Sequence, residues 1–160
     1  MDTKELIGKP KIGLHGQLKV PGDKSISHRG IMFGAISHGQ TTLHHFLTAD
    51  DCLSTLKAFQ QLGVPIKREG TTFEIQGIGL HGLSQPISEL NMGNSGTTTR
   101  LIMGLLAGQN FTTTLVGDAS LSKRPMKRVS VPLSKMGAKI ETTDGHLPAT
   151  IHGTKLHSFE

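Results

Sequence analysis

The residue types best suited to phosphate chemistry stand together in residues 21–29, which combine a Pro-Gly turn, a lysine, two serines and an arginine. A glycine turn before a helix points backbone N–H groups at a ligand, and the helix start adds partial positive charge. Lys24 and Arg29 supply full charges. If the helix begins near Ser25, then Ser25 and Arg29 share one face, one turn apart. The run predicts a phosphate-binding site. The structural alternative is a Pro-Gly turn and a serine helix cap with solvated basic side chains.

The charge balance favours anionic partners. The 160 residues carry a net charge of +5 and 35% hydrophobic residues, and their one cysteine excludes an internal disulfide framework. Phosphorylated metabolites, nucleic acid and a membrane surface all fit that charge. The N-terminal sequence lacks the order of a signal peptide and no apolar run approaches 18 residues, so we expect a soluble, cytoplasmic protein.

Few aromatic residues are available to stack nucleic-acid bases. The chain has six phenylalanines and no tryptophan or tyrosine, and this composition argues against RNA binding. The densest basic group, residues 123–128, contains four charges, and a solvated helix face is its structural alternative. We expect neither nucleic acid nor a membrane as partner.

Metal and nucleotide motifs are missing from the sequence. His44 and His45 are adjacent on a predicted strand, and the nine histidines include no His-Glu-x-x-His spacing. No Gly-x-x-x-x-Gly-Lys-Ser/Thr run occurs either. We therefore expect no metal and no cofactor. His28, inside the first run, is either a structural helix residue or a neighbour of the ligand.

A glycine and an arginine repeat along the chain with the same spacing. Gly22 and Gly93 stand 71 residues apart, as do Arg29 and Arg100. Further glycine matches follow at offsets of 74 and 76, which is what loop insertions between equivalent elements produce. The sequence thus predicts two related halves, each opening with a basic helix entrance.

Each half predicts the same order of elements, β-α-β-α-β-β, within an α/β fold of mixed sheets. Apolar spacing predicts helices, and β-branched runs between turn signals predict strands. Glu69-Gly70 and Asp144-Gly145 are hairpin signals, Asp50 and Asp51 are predicted to cap a helix, and Pro132 to kink or shorten one. The predicted strands are residues 17–20, 41–46, 65–68, 72–76, 87–92, 111–116, 139–142 and 149–152; the predicted helices include residues 31–36, 53–62, 101–107 and 125–136.

Three motifs in order, residues 21–29, 93–100 and 123–126, resemble the 5-enolpyruvylshikimate-3-phosphate synthase family. The resemblance extends over about residues 14–152 and includes residues 48–51. It implies tandem repeats of the enolpyruvyl transferase fold, at about residues 14–80 and 85–155. It also implies a transferase that moves the enolpyruvyl group of phosphoenolpyruvate to the 5-hydroxyl of shikimate 3-phosphate and releases phosphate, on the route to chorismate and aromatic amino acids.

The resemblance assigns roles that suit the chemistry of the residues. Lys24, the catalytic candidate, would lie between both substrates, with Ser25 and Arg29 on shikimate 3-phosphate. Gly96 would let phosphoenolpyruvate approach the backbone, and Arg124 would bind it through its guanidinium fork. A second group belongs to the same motifs without an assigned contact: Asp50, Asn94, Thr97 and Arg100.

Members of that family are more than twice as long as this chain. We therefore expect residues 1–160 to form an incomplete N-terminal domain without the C-terminal domain, and to be inactive alone without the missing remainder of the synthase. The alternative is a non-catalytic module of related fold that binds anions or RNA.

Overall fold

Five helices and seven strands lie in the part of the chain that the structure describes, residues 8, 13 and 15–158 of a computed structural model. Residue 14, where the first repeat is predicted to begin, lies outside the described residues. The elements are α1 (Lys24–Ile36), β1 (His38–Leu43), α2 (Asp50–Gln61), β2 (Ile66–Glu69), β3 (Thr72–Ile78), β4 (Leu90–Asn91), α3 (Gly96–Ala107), β5 (Thr112–Val116), α4 (Ala119–Ser122), α5 (Lys127–Lys135), β6 (Lys139–Thr143) and β7 (His146–His152).

Two sheets with the same core topology confirm the predicted mixed α/β class. The first sheet has the order β1-β3-β2 and is antiparallel throughout. The second has the order β4-β5-β7-β6, in which β5, β7 and β6 repeat that arrangement and β4 adds a parallel strand at the edge. Helix α1 packs on β3 and on α2, and α3 packs on β7, α5 and α2. The repeat boundaries themselves stay a prediction.

The hydrophobic core is formed by apolar residues at the spacings typical of helices and strands. Leu56, Phe59 and Leu62 form a buried stripe in and just after α2, and Gly63 follows with φ of 89°. Strand β3 buries alternate residues, including Phe73 and Ile75, so one face of the sheet lies against the helices. Helix α1 packs on this face of the first sheet, and α2 packs on α1.

One of the two hairpin turns lies at its predicted residues, and the other is shifted by one residue. Asp144 and Gly145 both have positive φ, 52° and 81°, as the Asp-Gly signal between β6 and β7 predicts. In the other hairpin Glu69 pairs with Thr72, so the loop is formed by Gly70 and Thr71. That turn therefore lies one residue later than the Glu69-Gly70 signal suggests.

Several predicted element boundaries are wrong. Residues 17–20 form no strand, since all four are exposed and no strand among the described residues pairs with them. The strand expected at residues 87–92 shortens to Leu90–Asn91, which pairs in parallel with β5, and the Met92 N–H adds one bond to the Val116 carbonyl. Strand β1 begins earlier than predicted because His38 pairs with Ile78, and it ends before His45, which has φ of 54°.

Helices in the second half also differ from the prediction in detail. The helix expected from residue 125 begins at Lys127 and continues past Pro132 to Lys135, which gives nine residues against twelve in α2. Helix α4 is missed by the sequence prediction because four residues are too few to show helical periodicity. Asp118 caps α4 by accepting from the Leu121 N–H. Among the described residues, no helix has both the length and the apolar character needed to cross a bilayer.

Candidate anion-binding site

A cavity of about 330 Å³ opens where the first turns of three helices meet. Lys24 begins α1, Asp50 and Asp51 begin α2, and residues 94–97 lead into α3; Arg100 and Arg124 complete the lining. The positive end of each helix dipole is directed at this space, which favours an anion there.

Side chains fix where two of these helices begin. Asp23 caps α1 by accepting from the Ile26 N–H at 2.8 Å, so the cap is Asp23 and the serine cap of the structural alternative is wrong. Ser95 caps α3 by accepting from the Thr98 N–H at 3.3 Å. The starts of α1 and α3 are thus set by local hydrogen bonds within the two motifs that the sequence singles out.

Helix α2 begins differently from the prediction. Its N-cap is Ala49, which has no side chain able to accept, and Asp50 and Asp51 lie in the first turn. The prediction that these two residues cap the helix is therefore wrong in position. Asp51 turns its carboxylate to the Cys52 N–H at 3.0 Å and to Lys24. Negative charge in a first turn still stabilises the helix through its dipole.

Lys24 and Asp51 form an ion pair across the first turns of α1 and α2. The hydrogen bond from Lys24 to Asp51, reinforced by the opposite charge, raises the pKa of Lys24. Burial alone would raise the pKa of Asp51, but the hydrogen bond and the charge of Lys24 outweigh it, so that pKa is lowered. Both groups are therefore charged at neutral pH, and the Lys24 side chain is still 56% exposed to a ligand.

Arg124 is held by a short chain of polar side chains. Its Nη2 donates to Asn94 Oδ1 at 2.9 Å, and Asn94 Nδ2 donates to Asp118 Oδ2 at 2.8 Å. The Leu121 N–H and the Asn94 amide lower the pKa of Asp118, which keeps it an acceptor. The sequence prediction missed Asp118, although an aspartate two residues after a β-branched strand is a helix-cap signal.

Arg100 and Gly96 lie next to Arg124. Arg100 Nη2 donates to the Pro125 carbonyl at 3.3 Å, while its buried Nε has no acceptor among the described residues. Gly96 is buried, and a β-carbon there would stand 3.0 Å from Nη1 of Arg124. Lys24, Arg100 and Arg124 give the cavity three cations against two carboxylates, which leaves it positive.

The cavity gathers Lys24, Gly96 and Arg124, and it also gathers all four of the second group, Asp50, Asn94, Thr97 and Arg100. It does not gather Ser25 and Arg29, which are exposed on α1 and outside its lining. Arg29 therefore differs in position from Arg100, its match in the repeat. In the basic group at residues 123–128, Lys127 and Arg128 are exposed on α5, as the solvated-face alternative expects, and Arg124 is not.

A buried polar cluster that the sequence did not predict lies beneath the cavity. His28 Nδ1 lies 2.7 Å from Thr55 Oγ1, and Thr55 Oγ1 lies 2.6 Å from Thr98 Oγ1. Burial lowers the pKa of His28, and Asp51 only partly opposes that effect. His28 is thus a structural helix residue directly behind the lining. Hydroxyls separated by 43 positions in the chain give no local signal of their contact.

One group of potential metal ligands comes together: His28, Asp51 and Cys52, with ligand atoms within 4.8 Å of one another. Burial raises the pKa of the Cys52 thiol to about 11, and Asp51 is engaged by Lys24. A protonated thiol and a paired carboxylate are poor metal ligands. The expectation of no metal stays a prediction.

Comparisons with known proteins agree with this geometry. The family model for EPSP synthase (3-phosphoshikimate 1-carboxyvinyltransferase) matches residues 9–160. The 3-phosphoshikimate 1-carboxyvinyltransferase of Lactiplantibacillus plantarum is 65% identical over 154 residues, which cover 96% of this chain and 36% of that protein. The Limosilactobacillus fermentum relative of the same name is 59% identical over 145 residues, covering 90% and 34%.

Solved structures give the same result. An EPSP synthase structure from Acinetobacter baumannii superposes with a TM-score of 0.84 at 52% identity, over 86% of this chain and 32% of that one. The chain thus spans about a third of the length of the relatives it matches. With a family model that covers nearly all its residues, the chain belongs to the EPSP synthase family.

Proposed function

We propose that this chain supplies the phosphoenolpyruvate side of an enolpyruvyl transferase, which transfers the enolpyruvyl group to the 5-hydroxyl of shikimate 3-phosphate and releases phosphate. The observation that carries the proposal is the cavity that gathers Lys24, Gly96 and Arg124 at three helix N-termini. The names of the relatives, 3-phosphoshikimate 1-carboxyvinyltransferases, support this choice of reaction.

Phosphoenolpyruvate carries a phosphate and a carboxylate, and the cavity offers separated cations for both. Arg124, fixed by Asn94, presents a planar guanidinium suited to a two-oxygen anion. Arg100, whose Nε has no acceptor among the described residues, adds a second guanidinium to the lining. Gly96 leaves room for the ligand to approach the start of α3, where the helix dipole adds to the attraction.

Shikimate 3-phosphate is proposed to lie beside the cavity, along the first turns of α1. Ser25 and Arg29 are exposed there, one turn apart on the same helix. Lys24 lines the cavity and also begins α1, which supports the proposal that its ammonium contacts both ligands. The roles of Ser25 and Arg29 rest on the motif and on this exposure alone.

Lys24 is the candidate for proton transfer. In the reaction the 5-hydroxyl gives up its proton and adds to the enolpyruvyl carbon while the methylene gains a proton to become a methyl group. The tetrahedral intermediate then expels phosphate and loses one methyl proton, which restores the double bond. Since Asp51 raises the pKa of Lys24, the ammonium form is the one available at neutral pH, which suits a proton donor and a charge stabiliser rather than a base. We propose that the remaining groups come from the two-thirds of the relatives that this chain does not match.

Calorimetry on the 160-residue chain tests the proposal. We expect weak binding of shikimate 3-phosphate and of phosphoenolpyruvate, each preferred over simple phosphates of equal charge, and little or no phosphate release when both are present. Affinity for generic RNA that exceeds both, and that falls steeply with added salt, would instead favour the nucleic-acid module.

A further inference from the structure

The polar cluster beneath the cavity connects three helices through nearly fully buried side chains. It contains His28 of α1, Thr55 of α2 and Thr98 of α3 together with Ser95, the N-cap of α3, and each is at most 2% exposed. Contacts run from His28 to Thr55, from Thr55 to Thr98, and from Thr98 to the Ser95 hydroxyl. This row of hydrogen-bonded side chains therefore reaches the cavity lining at one end, through Ser95.

The other end reaches the cavity through Cys52. The Cys52 thiol lies 3.8 Å from His28 Nε2 and donates to the Lys24 carbonyl, also at 3.8 Å. Sulfur hydrogen bonds are long and weak, but the thiol has a single proton to give. With that proton on the Lys24 carbonyl, the sulfur is left to accept from His28 Nε2–H.

This choice sets the direction of the three short contacts in the cluster, which are 2.5–2.7 Å long. Thr55 Oγ1 also lies 3.4 Å from the Asp51 carbonyl, and Thr98 Oγ1 lies 3.4 Å from His28 Nδ1, but both distances are much longer. When Nε2 carries the proton of a neutral imidazole, Nδ1 is an acceptor, and the Thr55 hydroxyl donates to it. The Thr98 hydroxyl then donates to Thr55, and the Ser95 hydroxyl donates to Thr98. Ser95 Oγ keeps a lone pair for the Thr98 N–H, which is the bond that caps α3.

We infer that His28 is a positioning residue: as a neutral imidazole protonated on Nε2, it aligns the hydroxyl chain that holds the start of α3 against the Lys24 backbone. The inference rests on the proposed function, because the two ends that it aligns are parts of the proposed phosphoenolpyruvate site. His28 itself lies behind the lining and acts on the ligand only through Ser95 and Lys24.

Protonation of His28 would reverse its hydrogen bond to Thr55. Nδ1–H would then donate to Thr55, so the Thr55 hydroxyl would have to turn to another acceptor, either Thr98 or the more distant Asp51 carbonyl. The charged and titratable groups that face His28 are Lys24, Asp51 and Cys52. Burial and Lys24 lower the pKa of His28 and Asp51 raises it, with a net lowering, which favours the neutral ring.

The test compares Thr55→Val with Thr113→Val in the 160-residue chain. Both threonines are buried, but Thr113 lies on β5 and its hydroxyl has no partner among the described residues, so its removal should cost nothing. Imidazole ¹⁵N shifts report the His28 tautomer, and NMR titration with phosphoenolpyruvate reports affinity. Thr55→Ser, which keeps the hydroxyl, serves as the rescue variant.

We expect the Nε2–H tautomer in the unaltered chain and about tenfold weaker phosphoenolpyruvate binding in Thr55→Val. Thr55→Ser should return the affinity to within about twofold, and Thr113→Val should leave it unchanged. An Nδ1–H tautomer, or unaltered affinity in folded Thr55→Val, would overturn the inference. If the valine variant does not fold, the tautomer of the unaltered chain decides. A chain that binds no phosphoenolpyruvate would contradict the proposed function instead, which separates the two failures.

Discussion

A β-carbon on Gly96 would stand 3.0 Å from Arg124 Nη1 and 3.4 Å from Arg100 Nη1. Contacts that close require a neighbour to move, and the nearest neighbours are the two guanidinium groups of the cavity. Gly96 thus lets both arginines lie directly over the first turn of α3, so that side-chain charge and helix dipole act on the same point.

Gly96→Ala should weaken phosphoenolpyruvate binding by about tenfold, which corresponds to ~1.4 kcal/mol. The added methyl group displaces Arg124 and occupies space that the ligand needs. The fold should persist, because alanine is a better helix former than glycine. Calorimetric titration gives the affinity, and thermal unfolding monitored by circular dichroism reports the fold.

The matched control for this substitution is Gly104→Ala in the same helix. A β-carbon at Gly104 meets nothing within 4 Å, so the methyl group adds only helix propensity, about 0.5–1 kcal/mol of stability. Its phosphoenolpyruvate affinity should equal that of the unaltered chain. Equal affinities for the Gly96 and Gly104 variants would contradict the role given to Gly96.

Asp51→Asn should lower the pKa of Lys24 to its ordinary value of 10.5 or below, since the hydrogen bond and charge that raise it are removed. Stabilisation of the native state by the pair is present below pH 10.5 and is lost as pH rises through the raised pKa of Lys24. NMR titration of the Lys24 side chain measures the shift. Asp50→Asn, the neighbouring carboxylate that has no bond to Lys24, should leave that pKa raised; an equal fall in both variants would contradict the pairing.

Acidification should destabilise the chain through His28. Its pKa in the folded state lies below the ordinary 6.5, so the unfolded state binds more protons in this window and stability falls as pH drops from 6.5. His28→Gln removes that titration. Urea unfolding at about pH 7.5 and 5.5 should therefore show a larger loss of unfolding free energy in the unaltered chain than in the variant. The same pH dependence in both would show that another group is responsible. The lowered pKa of Asp51 affects stability only below its ordinary value of 3.8, which lies outside the pH range of this comparison.

Asp118→Ala should impair both a helix cap and the cavity. Helix α4 loses its acceptor for the Leu121 N–H, and Asn94 loses the carboxylate that orients its amide towards Arg124. We expect a lower unfolding temperature and severalfold weaker phosphoenolpyruvate binding. Glu141→Ala is the control, because Glu141 is another acid with a lowered pKa, set by Lys139, but it lies on β6 away from the cavity. Equal effects of both substitutions on binding would point to loss of charge alone.

Sequence patterns predicted the local features and missed the long-range ones. The starts of α1 and α3 and the turn at Asp144 depend on neighbouring residues, and the motifs there located them closely. Asp51 pairs with Lys24 only because α1 and α2 pack together. A rule based on neighbouring residues therefore predicts a helix cap at Asp51 and misses the ion pair. The contact between Thr55 and Thr98 is of the same kind.

The same limit explains the strand errors. Residues 17–20 have apolar side chains at alternate positions, a pattern typical of a strand, but the sheet offers them no neighbour among the described residues. Strand β4 keeps only the two residues that pair in register with β5. Whether a segment becomes a strand depends on the edge available to it, which periodicity does not encode.

The most direct test of the proposed function is a ¹H–¹⁵N NMR titration of the 160-residue chain with phosphoenolpyruvate, with a simple phosphate of equal charge as reference. We predict saturable shifts at Lys24, Gly96, Thr97 and the Arg124 guanidinium, larger for phosphoenolpyruvate than for the reference. Shifts that avoid these residues, or that are the same for both anions, would contradict the account.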